Sequence, residues 1–184
     1  MNAILEREIK LRFETPEVAK AAILRAGATP LRCRRLQEDC LLDSADETLR
    51  RHRCVLRVRV ESGRSVLTYK GPVQPSLVKA REEVETVVAD GEGLVAILQQ
   101  LGFRPWFRYQ KYREEFALED VIVTVDETPV GTFVEIEGGD RGIHETAEAL
   151  GRGPSDYLLD SYRRIYLRHC EECGVVPADM LFED

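Results

Sequence analysis

Charged side chains recur two residues apart along several short stretches of this chain, mostly as same-sign pairs, and this pattern limits the fold more than any other feature. Residues two apart on a β-strand point to the same face. Glu6, Glu8 and Lys10 therefore share a face opposite Leu5, Ile9 and Leu11, and Arg57 and Arg59 share one opposite Leu56, Val58 and Val60. Lys70 ends the next stretch. Arg81, Glu83 and Glu85 lie opposite Val84 and Val88, Lys111 shares a face with Arg113, and Glu135 and Glu137 lie opposite Val134 and Ile136. Asp126 sits one stretch before that last pair. A half-buried antiparallel sheet always has a polar face, and solvation accounts for simple alternation. It does not account for like charges side by side, which gain nothing unless counter-charges across the sheet compensate them. A barrel closed around a charged interior supplies that compensation. Such an interior suits a ligand that needs cations for its phosphates and carboxylates for its metals.

The remaining pattern fits an α+β fold, an antiparallel barrel or tunnel of roughly eight strands with helices packed outside it. The chain reads as two strand–helix–strands halves. Ile4 to Phe13 forms a strand, then a helix follows that Thr15 caps, with Pro16 at its first position and Gly27 beyond its end. Ala80 to Val88 forms another strand, and its helix is capped by Asp90 and closed by Gly102. Both helices carry Ala-Ile-Leu before the glycine, at residues 22–24 and 96–98. Val55 to Val60 and Ser65 to Lys70 read as a hairpin about Ser62-Gly63; Arg108 to Phe116, Val121 to Glu127 and Thr132 to Glu137 read as a meander. A third helix is predicted over His144 to Leu150. Residues 154–174 hold a fourth, from about Asp156 to Cys173, with Leu158, Leu159, Tyr162, Ile165, Tyr166 and Cys170 on one stripe. Two roles are open to that helix: closing one tunnel mouth, or forming a homodimer contact.

At 184 residues, 43% of them hydrophobic, the chain supports one packed core. Residues 1–184 are read as one domain, with the tunnel in residues 1–165 and a tail beyond the last helix. A net charge of −7 has the wrong sign for general nucleic-acid binding, where phosphate neutralisation dominates. A polyanion would have to meet lysines and arginines gathered in one place, or metal cations. No apolar run reaches membrane-spanning length and residues 1–10 are charged almost at once, so neither a membrane span nor a signal peptide is expected. The cysteines, Cys33, Cys40, Cys54, Cys170 and Cys173, are odd in number and point to a reduced, cytoplasmic protein. Cys170-x-x-Cys173 lacks the second pair that a zinc site needs, and Cys170 falls on the apolar stripe. A P-loop of the G-x-x-x-x-G-K-S/T type and a G-x-S-x-G elbow are both missing, which excludes P-loop NTPases and serine hydrolases. Trp106, after Pro105 at a strand start, reads as packing, and His52 and His144 as turn residues.

Taken in order, the charged stretches resemble one known family. Glu6-Arg7-Glu8-Ile9-Lys10 is similar to the E-x-E-x-K signature of the CYTH superfamily. That superfamily groups class IV adenylyl cyclases, thiamine triphosphatases and inorganic triphosphatases, the triphosphate tunnel enzymes. Leu56 to Arg59, Leu67 to Pro72, Arg81 to Glu85, Lys111 to Arg113, Asp126 and Gly131 to Glu137 follow in family order. Gln37 to Asp43 resembles a further segment, but Leu41 and Leu42 stand where the family usually has an aromatic residue. That departure makes thiamine triphosphate a less attractive substrate. The resemblance is greatest to stand-alone bacterial and archaeal proteins labelled class IV adenylyl cyclases, whose relatives often hydrolyse triphosphate instead.

The resemblance implies a role for each charged position. Lys10, Arg57, Arg59, Lys70, Lys111 and Arg113 would grip phosphate oxygens, arginine through bidentate pairs and lysine as a point charge. Glu6, Glu8, Asp126, Glu135 and Glu137 would hold Mg²⁺ or Mn²⁺, with Glu83 and Glu85 as further ligands or in support of them. The catalytic set is then Glu6, Glu8, Lys70, Glu135 and Glu137. Arg81 has a second reading, as a partner of Glu83 or Glu85 that only balances interior charge. Asp39 and Asp43 read as strand-end residues, and Glu82, Glu114 and Glu115 as solvated charges. Three functions fit this picture. Hydrolysis of inorganic triphosphate or a nucleoside triphosphate leads, because the sequence shows no adenine or ribose pocket. Cyclisation of ATP to cyclic AMP and pyrophosphate comes second. A non-catalytic polyphosphate- or nucleotide-binding module comes third, since every carboxylate position is filled.

Overall fold

The computed structural model describes residues 3–183. Its first half runs β1 (Ile4–Phe13), α1 (Pro16–Arg25), β2 (Thr29–Ser44), a short α2 (Thr48–Arg51), β3 (Val55–Glu61) and β4 (Arg64–Lys70). The second half repeats the plan with β5 (Lys79–Val88), α3 (Gly91–Gln100), β6 (Phe103–Leu118), β7 (Val121–Thr128) and β8 (Gly131–Glu137). Two helices, α4 (Asp140–Ala149) and α5 (Tyr162–Cys173), complete it. The repeat extends to element lengths: β1 and β5 have 10 residues each, α1 and α3 10, and β2 and β6 16. Thr15 Oγ1 accepts the Val18 N–H at 3.3 Å, and Asp90 Oδ1 accepts the Gly93 N–H at 2.9 Å, so each helix start spends one orphan donor. Gly27 and Gly102 follow the two helices with φ of +92°, a conformation that favours glycine.

All eight strands close into one antiparallel barrel in the order β1-β5-β4-β3-β2-β6-β7-β8, and β8 pairs again with β1. Small barrels ordinarily fill their interior with apolar side chains. Here the apolar faces lie outside. Ile9, Leu11, Val123, Val134 and Ile136 pack under Ala19 and Ile23 of α1 and Ile143 and Ala147 of α4, each 1% exposed or less. Burying each of the larger of these side chains stabilises the fold by about 1.5–3 kcal/mol, which leaves the interior free to be polar. A second apolar cluster, built on Phe107, Tyr109, Phe133, Tyr162, Ile165 and Met180, anchors α5 to the barrel. Among the described residues no helix is long and apolar enough to cross a membrane, and the cysteines are free.

Several elements depart from the sequence expectation: α2 is an unexpected helical turn, β6 begins at Phe103 rather than Arg108, and the larger departures have local reasons. β2 was not anticipated as a long strand, because Pro30 and the run Arg32 to Arg35 break its alternation. Pairing with β6 absorbs them through register shifts between Pro30 and Arg32 and between Arg32 and Arg35. α4 begins at Asp140 rather than His144. Gly142 looks like a helix breaker, yet a Cβ there would lie 2.7 Å from Asp120 Oδ1 and from Val121 Cγ1, so the close approach of the helix to β7 demands glycine. α5 begins at Tyr162 rather than near Asp156, because Leu158 is used as a short strand against β1. The Lys10 N–H donates to Leu158 O at 3.1 Å and the Leu158 N–H to Lys10 O at 2.8 Å, and Ser161 then caps the helix. The expected tail is also tied down: the Met180 N–H donates to Arg108 O at 3.0 Å, and Met180 is 1% exposed.

Candidate functional site

The barrel holds a cavity of about 950 Å³, bordered at one mouth by the start of α5. Strand register decides which charges meet in it. Glu8 stands opposite Lys79 on β5 and Glu137 on β8, Lys10 opposite Glu135, Lys70 opposite Glu83, Asp39 opposite Arg59, and Arg113 opposite Asp126. At the far end, Arg35 pairs with Glu61 and Glu115, and Gln37 also donates to Glu61. None of those four residues borders the cavity.

One wall gathers carboxylates. Glu8 Oε1 takes both Lys10 Nζ at 2.9 Å and Lys79 Nζ at 2.5 Å. Burial alone would raise its pKa, but the two ammoniums outweigh burial and hold it well below the usual carboxylate range. Glu135 binds Lys10 at 3.1 Å and also Arg113, and these cations overcome its burial in the same way. Lys70 bridges Glu6 at 2.7 Å and Glu83 at 2.8 Å. Glu6 still ends up raised, by burial and by the neighbouring carboxylates Glu8 and Glu83, while Glu83 ends up lowered. Glu137 makes no ion pair among the described residues. Its side chain is open to the cavity yet surrounded by protein, and burial together with Glu6, Glu8 and Glu135 pushes it up to about 7. This wall therefore carries more negative charge than its cations neutralise.

The opposite walls gather cations. Asp39 is 2% exposed, and its Oδ1 lies 2.9 Å from Arg59 Nε and 3.4 Å from Arg57 Nε. Arg57 Nη2 donates to Thr68 Oγ1 at 3.1 Å, and that hydroxyl donates to Glu85 at 3.1 Å. Arg57 Nε is buried against Asp39 at a distance too long and too poorly aligned for a good hydrogen bond. Lys111 and Arg113 are held from behind by Asp126, at 2.7 Å from Lys111 Nζ and 2.6 Å from Arg113 Nε. Burial and the adjacent Arg113 bring Lys111 down to about 8 in spite of that partner. Tyr162, from α5, completes the clamp. Its hydroxyl donates to Asp126 Oδ2 at 2.7 Å, and its ring lies 4.9 Å from Lys111 Nζ and 5.3 Å from Lys10 Nζ.

The structure thus brings Glu6, Glu8, Lys10, Arg57, Arg59, Lys70, Glu83, Glu85, Lys111, Arg113, Glu135 and Glu137 to the lining of one cavity. Asp126 is different. It is fully buried, does not border the cavity, and spends its oxygens on Lys111, Arg113 and Tyr162. Arg81 pairs with neither Glu83 nor Glu85; its guanidinium donates to the carbonyl of Gly71 at 2.6 Å and to that of Lys70 at 3.3 Å, fastening β5 to the loop after β4. Asp39 lies mid-strand, not at a strand end, because β2 runs on to Ser44. Asp43 does sit near the end of β2, where it accepts the backbone N–H of Leu49 at 2.9 Å and of Arg50 at 3.0 Å. Glu114 and Glu115 are paired with Lys20 and Arg35 and largely buried. Lys79 was overlooked, although it stands two residues before Arg81 on the same strand face.

The chemistry of the donor set can be tested against a divalent cation. As the side chains stand, no three acidic, histidine or cysteine groups among the described residues converge at ligand distance, because Glu6, Glu8 and Glu135 each turn toward an ammonium or guanidinium. The residues nevertheless fit a hard cation. Four carboxylates share one wall, one of them is unpaired and pushed up by the other three, and hard divalent ions prefer oxygen ligands.

Comparison with known proteins gives the site a family. The CYTH domain matches residues 5–152, the span from β1 to just past α4. The chain belongs to the CYTH family. A Methanocaldococcus jannaschii protein, provisionally named an adenylate cyclase, is 30% identical over 148 residues, covering 80% of this chain and 84% of that one. Among solved structures, a Pyrococcus horikoshii protein is 26% identical with a TM-score of 0.73, covering 86% of this CYTH chain and 98% of its own. A Vibrio parahaemolyticus protein, provisionally an adenylate cyclase, shares the fold at 18% identity and a TM-score of 0.76, covering 89% and 98%. A Hippeastrum protein, provisionally an adenylyl cyclase and described as revealing a dominant triphosphatase activity, shares it at 19% identity and a TM-score of 0.66, covering 94% and 97%.

Proposed function

We propose that this CYTH protein is a metal-dependent enzyme that hydrolyses a triphosphate held in its barrel. One observation carries the reading: the cavity is divided into a cationic side, lined by Arg57, Arg59, Lys111 and Arg113, and a carboxylate side whose Glu137 is left unpaired among the described residues and pushed up to about 7. A triphosphate complements the first and a divalent cation the second.

In this reading Arg57, Arg59, Lys111 and Arg113 bind the phosphate oxygens, and Asp39 and Asp126 hold those cations in place from behind. Lys10 and Lys70 sit between the two sides, where each already bridges two carboxylates and can turn toward phosphate. Lys79 stands beside Lys10 on the same Glu8 oxygen and joins the phosphate-facing cations. Glu6, Glu8, Glu135 and Glu137 would hold Mg²⁺ or Mn²⁺, with Glu83 next to Glu6 as a further ligand. When bound, the metal supplies charge neutralisation of the phosphate chain and a means of activating water. Fixing the chain against preplaced donors accounts for most of the catalysis expected, because phosphoryl transfer depends chiefly on position and electrostatics.

The alternative within the family is cyclisation of ATP, and the names of the relatives favour it. A product assay on purified protein with Mg²⁺ or Mn²⁺, offering inorganic triphosphate and ATP separately, decides between them. Orthophosphate as the product supports hydrolysis. Cyclic AMP with an equal amount of pyrophosphate would replace this reading by the cyclase, and no product from either would leave a binding module.

A further inference from the structure

A recess of about 340 Å³ shares no lining residue with the barrel cavity. It is bordered by α5 and by the segment 152–158, with Leu158 and Ile165 as its apolar part. Its volume is at the low end of the roughly 300–1,000 Å³ usual for small-molecule sites. Apart from Arg12 and Arg152, its lining falls after residue 152, where the CYTH match ends, so family membership assigns it no role. Three arginines and a histidine border it: Arg12, Arg152, Arg168 and His169. Arg168 is paired with Asp160. Arg12 and Arg152 have no carboxylate partner among the described residues, although acidic residues outnumber basic ones 33 to 26 in the chain.

An aromatic ring and a backbone carbonyl hold each of these two guanidiniums. Arg12 lies 5.3 Å from the Phe133 ring centroid and donates to Val130 O at 2.9 Å. Arg152 lies 5.0 Å from the Phe13 centroid and donates to Arg12 O at 3.5 Å. Stacking on a ring is common packing, and for one arginine it would be explanation enough. Two guanidiniums fixed on one recess, each with N–H donors to spare, repel each other until an anion joins them. The carboxylates beside them narrow the choice of anion. Asp156 spends Oδ2 on the Gly153 N–H at 2.9 Å, whereas Glu172 makes no hydrogen bond or ion pair among the described residues. Glu172 repels a fully deprotonated anion. Hydrogen phosphate at neutral pH keeps one P–OH, which a carboxylate accepts while the other oxygens take arginine N–H groups; sulfate keeps none.

We propose that this recess is a binding site for a monophosphate group, held by Arg12 and Arg152 with Glu172 accepting its P–OH. Free inorganic phosphate and a small phosphomonoester share that chemistry. The site stands independently of the triphosphate reading of the barrel.

His169 reports on the recess from its own wall, and the chain has 3 histidines in all, so its ring resonances can be assigned with a His169→Gln variant. Titration of the full-length protein with inorganic phosphate at constant pH is expected to shift the His169 signals saturably, and Arg12→Gln/Arg152→Gln to abolish the shift. Sulfate should need a concentration roughly tenfold higher, the scale of one hydrogen bond to a charged group, and Glu172→Gln should remove that preference. Glycerol phosphate acting at lower concentration than inorganic phosphate would assign Leu158 and Ile165 to the carbon part of an ester; the reverse would assign the site to free phosphate. No saturable shift at His169, an equal shift in the double variant, or sulfate as effective as phosphate overturns the proposal. Glu172 is exposed, so Glu172→Gln keeps the test decisive even where the arginine variant does not fold.

Discussion

Asp126→Asn removes one charge from a fully buried cluster while keeping the size of the side chain. Asp126 accepts from Lys111 Nζ at 2.7 Å, Arg113 Nε at 2.6 Å and the Tyr162 hydroxyl at 2.7 Å. In the variant Arg113 keeps Glu135, but Lys111 loses its one direct carboxylate partner while only 2% exposed. Removing one partner of a buried ion pair costs about 3–5 kcal/mol, because the charge left behind is uncompensated. For a chain of this size each kcal/mol shifts Tm by roughly 2–4 °C, so a fall of about 6–20 °C is expected. The sign of the pH dependence follows from the lowered pKa of Asp126, which the cations impose against its burial. A carboxylate lowered on folding contributes stability that is present above its unfolded pKa and lost as pH falls through its folded value. The gap in Tm between the parent and Asp126→Asn should therefore narrow on acidification. Thermal unfolding of both proteins across pH, with Mg²⁺ affinity measured in parallel, checks this. A variant that melts within 2 °C of the parent and loses its Mg²⁺ affinity would refute the clamp and return Asp126 to the metal ligands.

Two further outcomes are expected. Lys79→Met should raise KM for triphosphate by roughly 10- to 100-fold, the scale of one hydrogen bond to a charged group, with a smaller change in kcat; an unchanged KM in steady-state kinetics would confine Lys79 to charge balance with Glu8. Glu137, raised to about 7 in the folded protein, binds its proton more tightly folded than unfolded, so its contribution to metal-free stability should fall as pH rises from about 4.5 through 7. Stabilisation by Mg²⁺ should grow over that window, since a metal needs the deprotonated carboxylate, and Glu137→Gln should flatten both slopes in melts at pH 5 to 8.

The barrel and most of its lining were legible because a closed sheet converts residue parity into position. Once Glu6, Glu8 and Lys10 share a strand face, closure makes them face Arg57, Lys111 and Glu135. The helices α1 and α3 were legible because their capping side chains and terminal glycines are local signals. What could not be read was non-local. β2 hid because Pro30 and four residues from Arg32 to Arg35 break the alternation that its partner tolerates, and Asp39 disappeared with it. Lys79 is the first residue of β5, where no local signal marks the strand start. The difference between Asp126 and Glu135 is invisible in sequence, since both alternate correctly; only Tyr162, arriving from α5, shows that Asp126 is sealed behind the wall.

The central claim is that metal on the carboxylate wall and triphosphate on the cationic wall make one hydrolytic site. Glu6→Gln probes it cleanly, because Lys70 keeps Glu83 at 2.8 Å and no fully buried charge is stranded. The decisive measurement is the rate of orthophosphate release from inorganic triphosphate as Mg²⁺ is titrated, for the parent and for Glu6→Gln, with Tm recorded for each. The account predicts saturable Mg²⁺ dependence in the parent and a loss on the order of 10²-fold in the variant at nearly unchanged Tm. Full activity in Glu6→Gln, or turnover by the parent without any divalent cation, would contradict it.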